Sequence, residues 1–146
     1  MSDKYPQLRL ENQLCFRLYA ASRQVTRLYQ PLLKKLDLTY PQYIVLLILW
    51  EQDGLLVKEI GARAELSSNT LTPLLKRLAE RDIVTRSRNS EDERQTFIHL
   101  TDKGKALEQE CACIPAAMLN QAGMSMAQIA ALKDTLDAFL ALQKSR

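Results

Sequence analysis

The sequence lacks several patterns on which whole classes of protein depend. Its longest uninterrupted apolar run, YIVLLILW, has eight residues, which is far too short to span a bilayer. The opening stretch, MSDKYPQLRLENQ, has no apolar core of a signal peptide. Three cysteines, an odd number without framework spacing, are typical of free thiols in a reducing compartment. These absences predict a cytoplasmic protein with no membrane segment.

Patterns of catalytic and cofactor sites are also scarce. The sequence shows no glycine-rich phosphate loop, no cluster of metal ligands and no paired carboxylates. Its one histidine, His99, falls in a strand-like run, where a lone histidine is most often a surface residue. We therefore predict no cofactor and no metal, and we assign His99 no role.

Length and charge predict one domain over residues 1–146, with an uneven surface. The net charge of +3 is only weakly basic. Residues 9–35 hold six Lys or Arg against one acid, residues 57–90 hold seven against four, and the chain from residue 101 onward is balanced at five each. This distribution fits a DNA-facing side and a partner-facing side. Chance clustering on a solvated surface is the plainer alternative.

Apolar periodicity predicts two helices in the first fifty residues. A stripe of near-helical period over Leu10–Leu32 indicates a first helix of about 25 residues, which Pro31 would kink or end. In TYPQYIVLLILWEQ the apolar run alone fits a buried helix or a buried strand. Thr39 as a cap and Pro41 in the first turn favour a helix.

A helix-turn-helix is predicted next. LLVKEIGARAEL indicates a short helix with Ile60 and Ala64 inward, and SSNTLTPLLKRLAERD indicates a second helix from about Ser68. Spacings of three, four and seven give the second helix one apolar face, formed by Leu71, Leu74, Leu75 and Leu78. Its other side shows small hydrogen-bonding groups beside cations: Ser68, Asn69, Thr70, Thr72, Pro73, Lys76 and Arg77. Such a face suits the major groove of DNA. Pro73 makes the helix start ambiguous, because deep inside a helix it would cost a hydrogen bond.

Two strand-like runs, IVTRSR and QTFIHL, come after this helix and are separated by the polar turn NSEDER. A basic hairpin beside a groove-entering helix can reach the DNA backbone or the minor groove. We expect Arg86, in the first run, to contact a phosphate.

The rest of the chain is predicted to be helical. Thr101 and Asp102 would cap a helix over residues 101–122 that is interrupted at Pro115. Ser125 and Gln128 form a capping box for a last helix, whose seam suits another helix: Ile129, Leu132, Leu136 and Phe139. The predicted fold class is mainly α with a small β-hairpin. It is a winged helix-turn-helix at about residues 55–100 with long N- and C-terminal dimerisation helices at about 8–35 and 101–146.

The stretch DERQTFIHLTDKG resembles the wing signature of the MarR family of transcriptional regulators. That signature is Asp, any residue and Arg, then Leu-Thr and Gly at fixed distances; here these are Asp92, Arg94, Leu100, Thr101 and Gly104. LTPLLKRL is similar to the family's recognition helix, and the order of elements covers the whole chain. LENQLCFRLYAASR and DLTYPQYIVLLILWE resemble one branch, the organic-hydroperoxide sensors known as OhrR. Where that branch has its sensing thiol and tyrosines, this sequence has Cys15, Tyr19, Tyr29 and Tyr40.

The resemblance implies a homodimeric repressor of double-stranded DNA. It would bind a pseudo-palindromic operator and release it when an organic hydroperoxide oxidises Cys15. In the wing, Asp92 can hold the guanidinium of Arg94 by charge-assisted hydrogen bonds, so that the arginine enters the minor groove already ordered. The plainer reading is a salt bridge on an exposed turn, which would contribute only ~0–1 kcal/mol to the hairpin.

Helix geometry limits how the sensing residues can meet. Cys15 and Tyr29 are 14 residues apart, which places them within about 40° of the same face but roughly 21 Å apart along the axis. A shared site would therefore need Tyr29 from a second subunit, with the first helices antiparallel across a two-fold axis. A phenol donating to the sulfur would favour the thiolate, which is the nucleophile toward a peroxide. Without such a site, Cys15 is a small buried hydrophobe.

Cys111 and Cys113 leave the second oxidation step open. Two residues apart on one helix, they would point about 200° away from each other and could neither pair nor chelate one metal. By the resemblance, one of them would resolve oxidised Cys15 as an inter-subunit disulfide, although the second cysteine of such relatives lies nearer the end of its helix. The other readings are a mixed disulfide with a low-molecular-weight thiol and plain helix packing.

Two further functions compete with the peroxide-responsive repressor. One is a MarR-type repressor released by a small phenolic ligand, with Cys15 incidental. The other is a thiol peroxidase, which would need neither a recognition helix nor a basic hairpin. We therefore predict a regulator and not an enzyme.

Overall fold

The computed structural model describes residues 4–92 and 94–145, which form seven helices and three short strands. In chain order they are α1 (Leu14–Lys34), α2 (Tyr40–Glu51), β1 (Leu55–Leu56), α3 (Val57–Ala64), α4 (Ser68–Glu80), β2 (Val84–Arg88), β3 (Thr96–Leu100), α5 (Asp102–Cys111), α6 (Ile114–Ala122) and α7 (Met126–Lys144). The predicted order of helices around a wing is confirmed.

The first helix begins later than predicted. Residues 6–8 and 10–12 form two separate 3₁₀ turns, and α1 starts at Leu14 after an extended Gln13. The side chain of Gln13 donates to the carbonyl oxygens of Gln7 and Arg9 and so stabilises this non-helical entry. Pro31 lies inside α1, which continues to Lys34. Near the C-terminus of a helix, a proline removes a single hydrogen bond and need not end it.

The second helix is confirmed, and its start has the predicted chemistry. Gln42 donates its backbone N–H to the Thr39 hydroxyl at 3.3 Å, and Thr39 donates its own N–H to the Gln42 side chain at 3.0 Å. This capping box satisfies two amide hydrogens that the first helical turn leaves open. Six of the twelve residues of α2 are buried, which places it at the centre of the fold.

The sheet has one strand more than the predicted hairpin. β2 and β3 pair antiparallel, with Val84 opposite Leu100, and β1 adds to the other edge of β3, with Leu55 opposite Ile98. A strand of only two residues is too short to show the alternating pattern of a strand in the sequence. The formation of β1 therefore depends on its pairing with the distant strand β3. The core of α2, the helix-turn-helix and the sheet is almost inaccessible to solvent at Val45, Leu46, Leu49, Ile60, Leu71, Leu75, Leu78, Ile83 and Ile98.

The helix predicted to be interrupted at Pro115 is in fact interrupted slightly earlier, between Cys111 and Ile114, and this break corrects the geometry of the two late cysteines. Cys111 is the last residue of α5, whereas Cys113 caps α6 and Pro115 stands in the first turn of α6. The two thiols therefore belong to different helices, and the angle of about 200° expected for one helix does not apply.

The chain divides into two compact units, residues 1–112 and residues 113–146. In the second unit, Gly123 ends α6 with φ +70° and the predicted capping box of Ser125 and Gln128 starts α7. None of the residues of α7, all of which the structure describes, is buried. Within residues 4–92 and 94–145, no helix combines the length and the apolar character needed to cross a membrane.

Candidate DNA interface and redox site

The helix α4 has the two faces that the sequence predicts. Its four leucines are buried, and every residue predicted to face DNA is exposed: Ser68, Asn69, Thr70, Thr72, Pro73, Lys76 and Arg77. The helix begins at Ser68 as predicted and continues through Pro73, its sixth residue. Contacts between these side chains and DNA stay a prediction.

A basic groove lies between α3, α4 and the wing. It encloses about 300 Å³ and is lined by Val57, Lys58, Ser68, Thr72, Leu75, Arg86, Arg94 and Thr96. Three of these side chains are cations, and Arg86 and Arg94 had been predicted from the sequence. Lys58 had not. Lys58 lies in the first turn of α3, where a positive charge is unfavourable to the helix dipole. Helix stability therefore does not explain a lysine at this position, and that mismatch was a signal in the sequence.

The wing turn uses its carboxylate differently from the prediction. Asp92 accepts the backbone N–H of Arg94 at 3.0 Å, whereas the guanidinium of Arg94 lies 3.8 Å away as a loose ion pair. The Arg94 side chain is 96% exposed, so water competes for the charge, and at 3.8 Å its guanidinium is too far from Asp92 for a hydrogen bond. Asp92 therefore shapes the turn that carries Arg94 and does not clamp the guanidinium.

The thiol of Cys15 is free and exposed, not a buried hydrophobe. It lies in the first turn of α1, and large apolar side chains along the same helix are exposed as well: Leu14, Phe16, Leu18, Tyr19 and Val25. Arg23 donates to the Tyr19 hydroxyl at 2.7 Å and also lies over the Tyr19 ring. The N-terminal half of α1 thus presents an exposed free thiol among exposed apolar side chains.

A tyrosine cluster occupies the junction of α1 and α2. The ring centroids of Tyr29 and Tyr40 are 4.8 Å apart, and that of Tyr43 lies 5.7 Å from Tyr29 and 6.3 Å from Tyr40. Burial raises the pKa of Tyr29 and Tyr40 above the ordinary value. Burial, with smaller contributions from Tyr29, Cys111 and Tyr40, raises the pKa of Tyr43 to about 12. All three phenols therefore stay protonated near neutral pH and can donate hydrogen bonds.

The sequence prediction named Tyr29 and Tyr40 but missed Tyr43. Its signal was present, since Tyr40 and Tyr43 are three residues apart on α2 and so share a face. Cys15 and Tyr29 are both on α1, so the axial separation of roughly 21 Å applies within one protomer. Tyr19 is exposed beside Cys15 and is not part of the cluster.

The two late cysteines differ in access. Cys111 is 3% exposed and lies close enough to Tyr43 to influence its pKa, whereas Cys113 is exposed. In the part of the chain that the structure describes, no group of three or more His, Cys, Asp or Glu residues is arranged to hold a metal ion.

Known proteins resemble this chain over nearly its whole length. The profile of the family described as "Transcriptional regulator SarA/Rot" matches residues 27–111. The chain is 46% identical over 140 residues to the organic hydroperoxide resistance transcriptional regulator of Bacillus subtilis strain 168, a match covering 96% of this chain and 95% of that protein. It is 36% identical to AbfR of Staphylococcus epidermidis, whose crystal structure superposes with a TM-score of 0.76 and covers 99% of this chain and 100% of AbfR.

AbfR has been solved in several chemical states. The structure of reduced AbfR bound to DNA has a TM-score of 0.77 at 38% identity and covers 94% of this chain and 96% of AbfR. The structure of disulfide-formed AbfR has a TM-score of 0.62 at 41% identity and covers 92% of this chain and 95% of AbfR.

Proposed function

Because this chain belongs to the MarR family of transcriptional regulators, and within it to the branch of the organic hydroperoxide resistance regulators, we propose that it is a homodimeric repressor that senses organic hydroperoxides through Cys15. The reduced protein binds a pseudo-palindromic operator in the cytoplasm, and oxidation of Cys15 releases it. The existence of AbfR structures in reduced and disulfide forms, the reduced one with DNA, supports this assignment.

One observation carries the proposal. The exposed Cys15 and Tyr29, a member of the tyrosine cluster, are both on α1, yet roughly 21 Å along the helix axis separates them. A second copy of the chain, with its α1 antiparallel to the first, would bring each thiol to the partner's tyrosines. It would also cover the exposed apolar side chains of α1. The sensing site and the dimer interface are then the same place.

Oxidation of Cys15 by a hydroperoxide at such a site needs no cofactor, because the peroxide itself accepts the two electrons. The thiolate sulfur of Cys15 attacks one peroxide oxygen, an S–O bond forms and the O–O bond breaks. The cysteine is oxidised by two electrons to the sulfenic acid, while the hydroperoxide is reduced to an alcohol whose oxygen takes up a proton. Phenols of the partner's cluster favour the thiolate by donating hydrogen bonds to it.

A second thiol then condenses with the sulfenic acid, forming an S–S bond and releasing water. Cys113 is the better candidate for this resolving step, because it is exposed and Cys111 is buried. A low-molecular-weight thiol is the alternative donor, and it would leave a mixed disulfide. A disulfide with Cys111 would require α5 to open.

The DNA side of the proposal follows from the groove. α4 enters the major groove with its exposed polar face, and the wing brings Arg94 to the adjacent minor groove. Lys58 and Arg86, which both line the groove, contact phosphates. Lys76, exposed on α4, does so as well. Two such units in one dimer would read two half-sites.

The deciding experiment compares wild type with Cys15→Ser. Both should bind operator DNA equally well under reducing conditions, because serine keeps the approximate size of cysteine. After cumene hydroperoxide, fluorescence anisotropy should show release of DNA by wild type and retention by Cys15→Ser, since a hydroxyl cannot form a sulfenic acid. Cys113→Ser is the matched control for the resolving step and should lose the inter-subunit disulfide on a non-reducing gel. If Cys15→Ser leaves DNA as readily as wild type, Cys15 is not the sensor.

The same assay separates the two competing functions. A repressor gated by a phenolic ligand would respond to salicylate and ignore cumene hydroperoxide. A thiol peroxidase would consume hydroperoxide over many turnovers with a dithiol reductant, and operator DNA would not affect the rate. We expect one oxidation event per Cys15 and no turnover.

A further inference from the structure

The recognition helix α4 ends at an arginine that hydrogen-bonds to a turn distant in the sequence. Arg81 caps α4, and its guanidinium reaches back along the chain to the turn between α1 and α2. One terminal nitrogen donates to the carbonyl oxygen of Asp37, and the other donates to the carbonyl oxygen of Leu36 at 3.2 Å. The Asp37 carboxylate is almost fully exposed and lies 3.9 Å away, so the carbonyl contacts dominate.

The turn has a shape that leaves those carbonyls in need of a donor. Asp37 has a left-handed backbone with φ +55°, and the amide N–H groups of the turn bond back to the last residues of α1. Leu36 and Asp37 lie just beyond the end of α1, so their carbonyl oxygens have no partner within the helix and accept from outside it. The guanidinium, with its planar fork of donors, serves two of them together.

The same turn joins the two helices of the tyrosine cluster. Tyr29 lies on α1 before the turn, and Tyr40 begins α2 three residues after Asp37. A displacement of α1 relative to α2 at the tyrosines therefore moves the carbonyls that Arg81 holds.

The other side of the helix end is fixed to α5. Lys103 donates to the carbonyl oxygen of Arg81 at 2.9 Å, and the Thr101 hydroxyl donates to that of Ile83 at 3.1 Å. The end of α4 is thus held between the α1–α2 turn and the start of α5.

We propose that Arg81 is a positioning residue that couples oxidation of Cys15 on α1 to the position of the recognition helix α4. The inference rests on the proposed function and adds the route by which oxidation reaches DNA binding. When oxidation of Cys15 rearranges α1 and the tyrosines, the carbonyl pair of the turn shifts, and the guanidinium bound to it moves the end of α4. The exposed face of α4 then loses its fit to the operator.

The quantity that tests this route is the ratio of the operator dissociation constants of oxidised and reduced protein. It is measured by anisotropy on the full-length protein, while intact mass follows oxidation of Cys15 by cumene hydroperoxide. Arg81→Ala should be oxidised at the wild-type rate and should bind operator in the reduced state within about threefold of wild type. Its ratio should fall about tenfold toward one, within the usual range of coupling between two sites. A purely structural role would weaken both forms equally and leave the ratio unchanged, and that result overturns the proposal.

Two variants control for loss of an arginine and loss of a charge. Arg63→Ala removes an arginine of α3 that pairs with Glu51 of α2; its side chain is 38% exposed against 29% for Arg81, and it does not touch the turn. Asp37→Asn removes the carboxylate but keeps the carbonyl, and asparagine tolerates the left-handed backbone. Both should retain the wild-type ratio, and a tenfold fall in either one contradicts the proposed route.

A second variant covers a failure of Arg81→Ala to fold. Arg81→Lys puts one compact ammonium where the guanidinium spans two carbonyls, so its ratio should fall about threefold. An unchanged ratio in folded Arg81→Lys overturns the proposal.

If wild type itself keeps its operator after oxidation, the proposed function fails and this inference falls with it. If wild type is released and Arg81→Ala has the same ratio, only the inference is wrong.

Discussion

At the residue scale, the wing offers a direct comparison between groove contacts and phosphate contacts. Arg94→Ala should weaken operator binding by ~1–3 kcal/mol, and Asp92→Ala should weaken it too, because the turn that presents Arg94 loses its carboxylate acceptor. Arg86→Ala and Lys76→Ala should weaken binding less, and each should reduce the salt slope of the affinity by about one unit. Anisotropy titrations at several salt concentrations measure both effects. Equal, small losses at all four positions would mean that the wing is only structural.

Single hydroxyls of the tyrosine cluster give a second prediction at this scale. Tyr29→Phe and Tyr40→Phe should slow oxidation of Cys15 without weakening DNA binding by the reduced protein. The rings are retained, so packing survives, while the donors that favour the thiolate are lost. Stopped-flow oxidation monitored by mass spectrometry measures the rate. Tyr5→Phe, at an exposed tyrosine outside the cluster, is the control and should match wild type.

The raised pKa of Tyr43 predicts a loss of stability at alkaline pH. Its pKa is raised to about 12 from the ordinary value of 10.0, so the folded state holds the phenol proton more tightly than the unfolded chain. This contribution to stability is fully present below pH 10 and is lost as the pH rises toward 12. Wild type should therefore lose up to ~2–3 kcal/mol more than Tyr43→Phe across that window. Urea unfolding at pH 9 and pH 11.5 tests the sign, and parallel pH profiles would contradict it.

At the scale of elements, the first turn of α5 lies very close to the backbone of Ile83, the residue before β2. A Cβ added at Gly104 would stand 2.2 Å from the carbonyl oxygen of Ile83 and 3.1 Å from the Leu100 side chain. Gly104→Ala should destabilise the protein by ~1–3 kcal/mol, because a backbone carbonyl cannot yield as a flexible side chain does. Lys105→Ala, at the next and exposed position, should change stability by less than about 0.5 kcal/mol. Urea denaturation compares the two, and equal midpoints would refute the predicted clash.

Elements fixed by local chemistry were predictable from the sequence, and those fixed by distant contacts were not. Thr39 and Ser125 predict the starts of α2 and α7, because each caps its helix through a residue only three positions later. Strand β1 has no such signal, since its two residues are held by β3 more than forty positions later. The pairing of Asp92 with Arg94 was visible as a motif, but spacing alone cannot say that the carboxylate accepts the backbone N–H instead of the guanidinium.

At the scale of the whole molecule, the exposed apolar faces predict the oligomeric state. α1 has one buried residue and α7 has none, although both carry large exposed apolar side chains. Light scattering at micromolar concentration should give twice the chain mass of 16.7 kDa, about 33 kDa. Leu14→Glu and Leu132→Glu should each yield monomers, because a charge would be buried in an apolar contact. Ala141→Glu, on the opposite side of α7 from Leu132, should stay dimeric. A wild-type monomer would also remove the basis for two operator half-sites about 10 bp apart.

Pro73 in the middle of α4 has a consequence for how the operator is read. Because proline has no N–H, the carbonyl oxygen of Asn69 cannot receive the hydrogen bond that residue 73 would donate in an unbroken helix. Asn69 and Pro73 are both exposed on the face predicted to meet DNA, so the missing helical hydrogen bond lies on that face. Exchanging Asn69 for any other residue leaves that oxygen in place. A scan of side chains along α4 therefore leaves this gap in the backbone hydrogen bonds untested, and only a residue with an amide hydrogen at position 73 closes it.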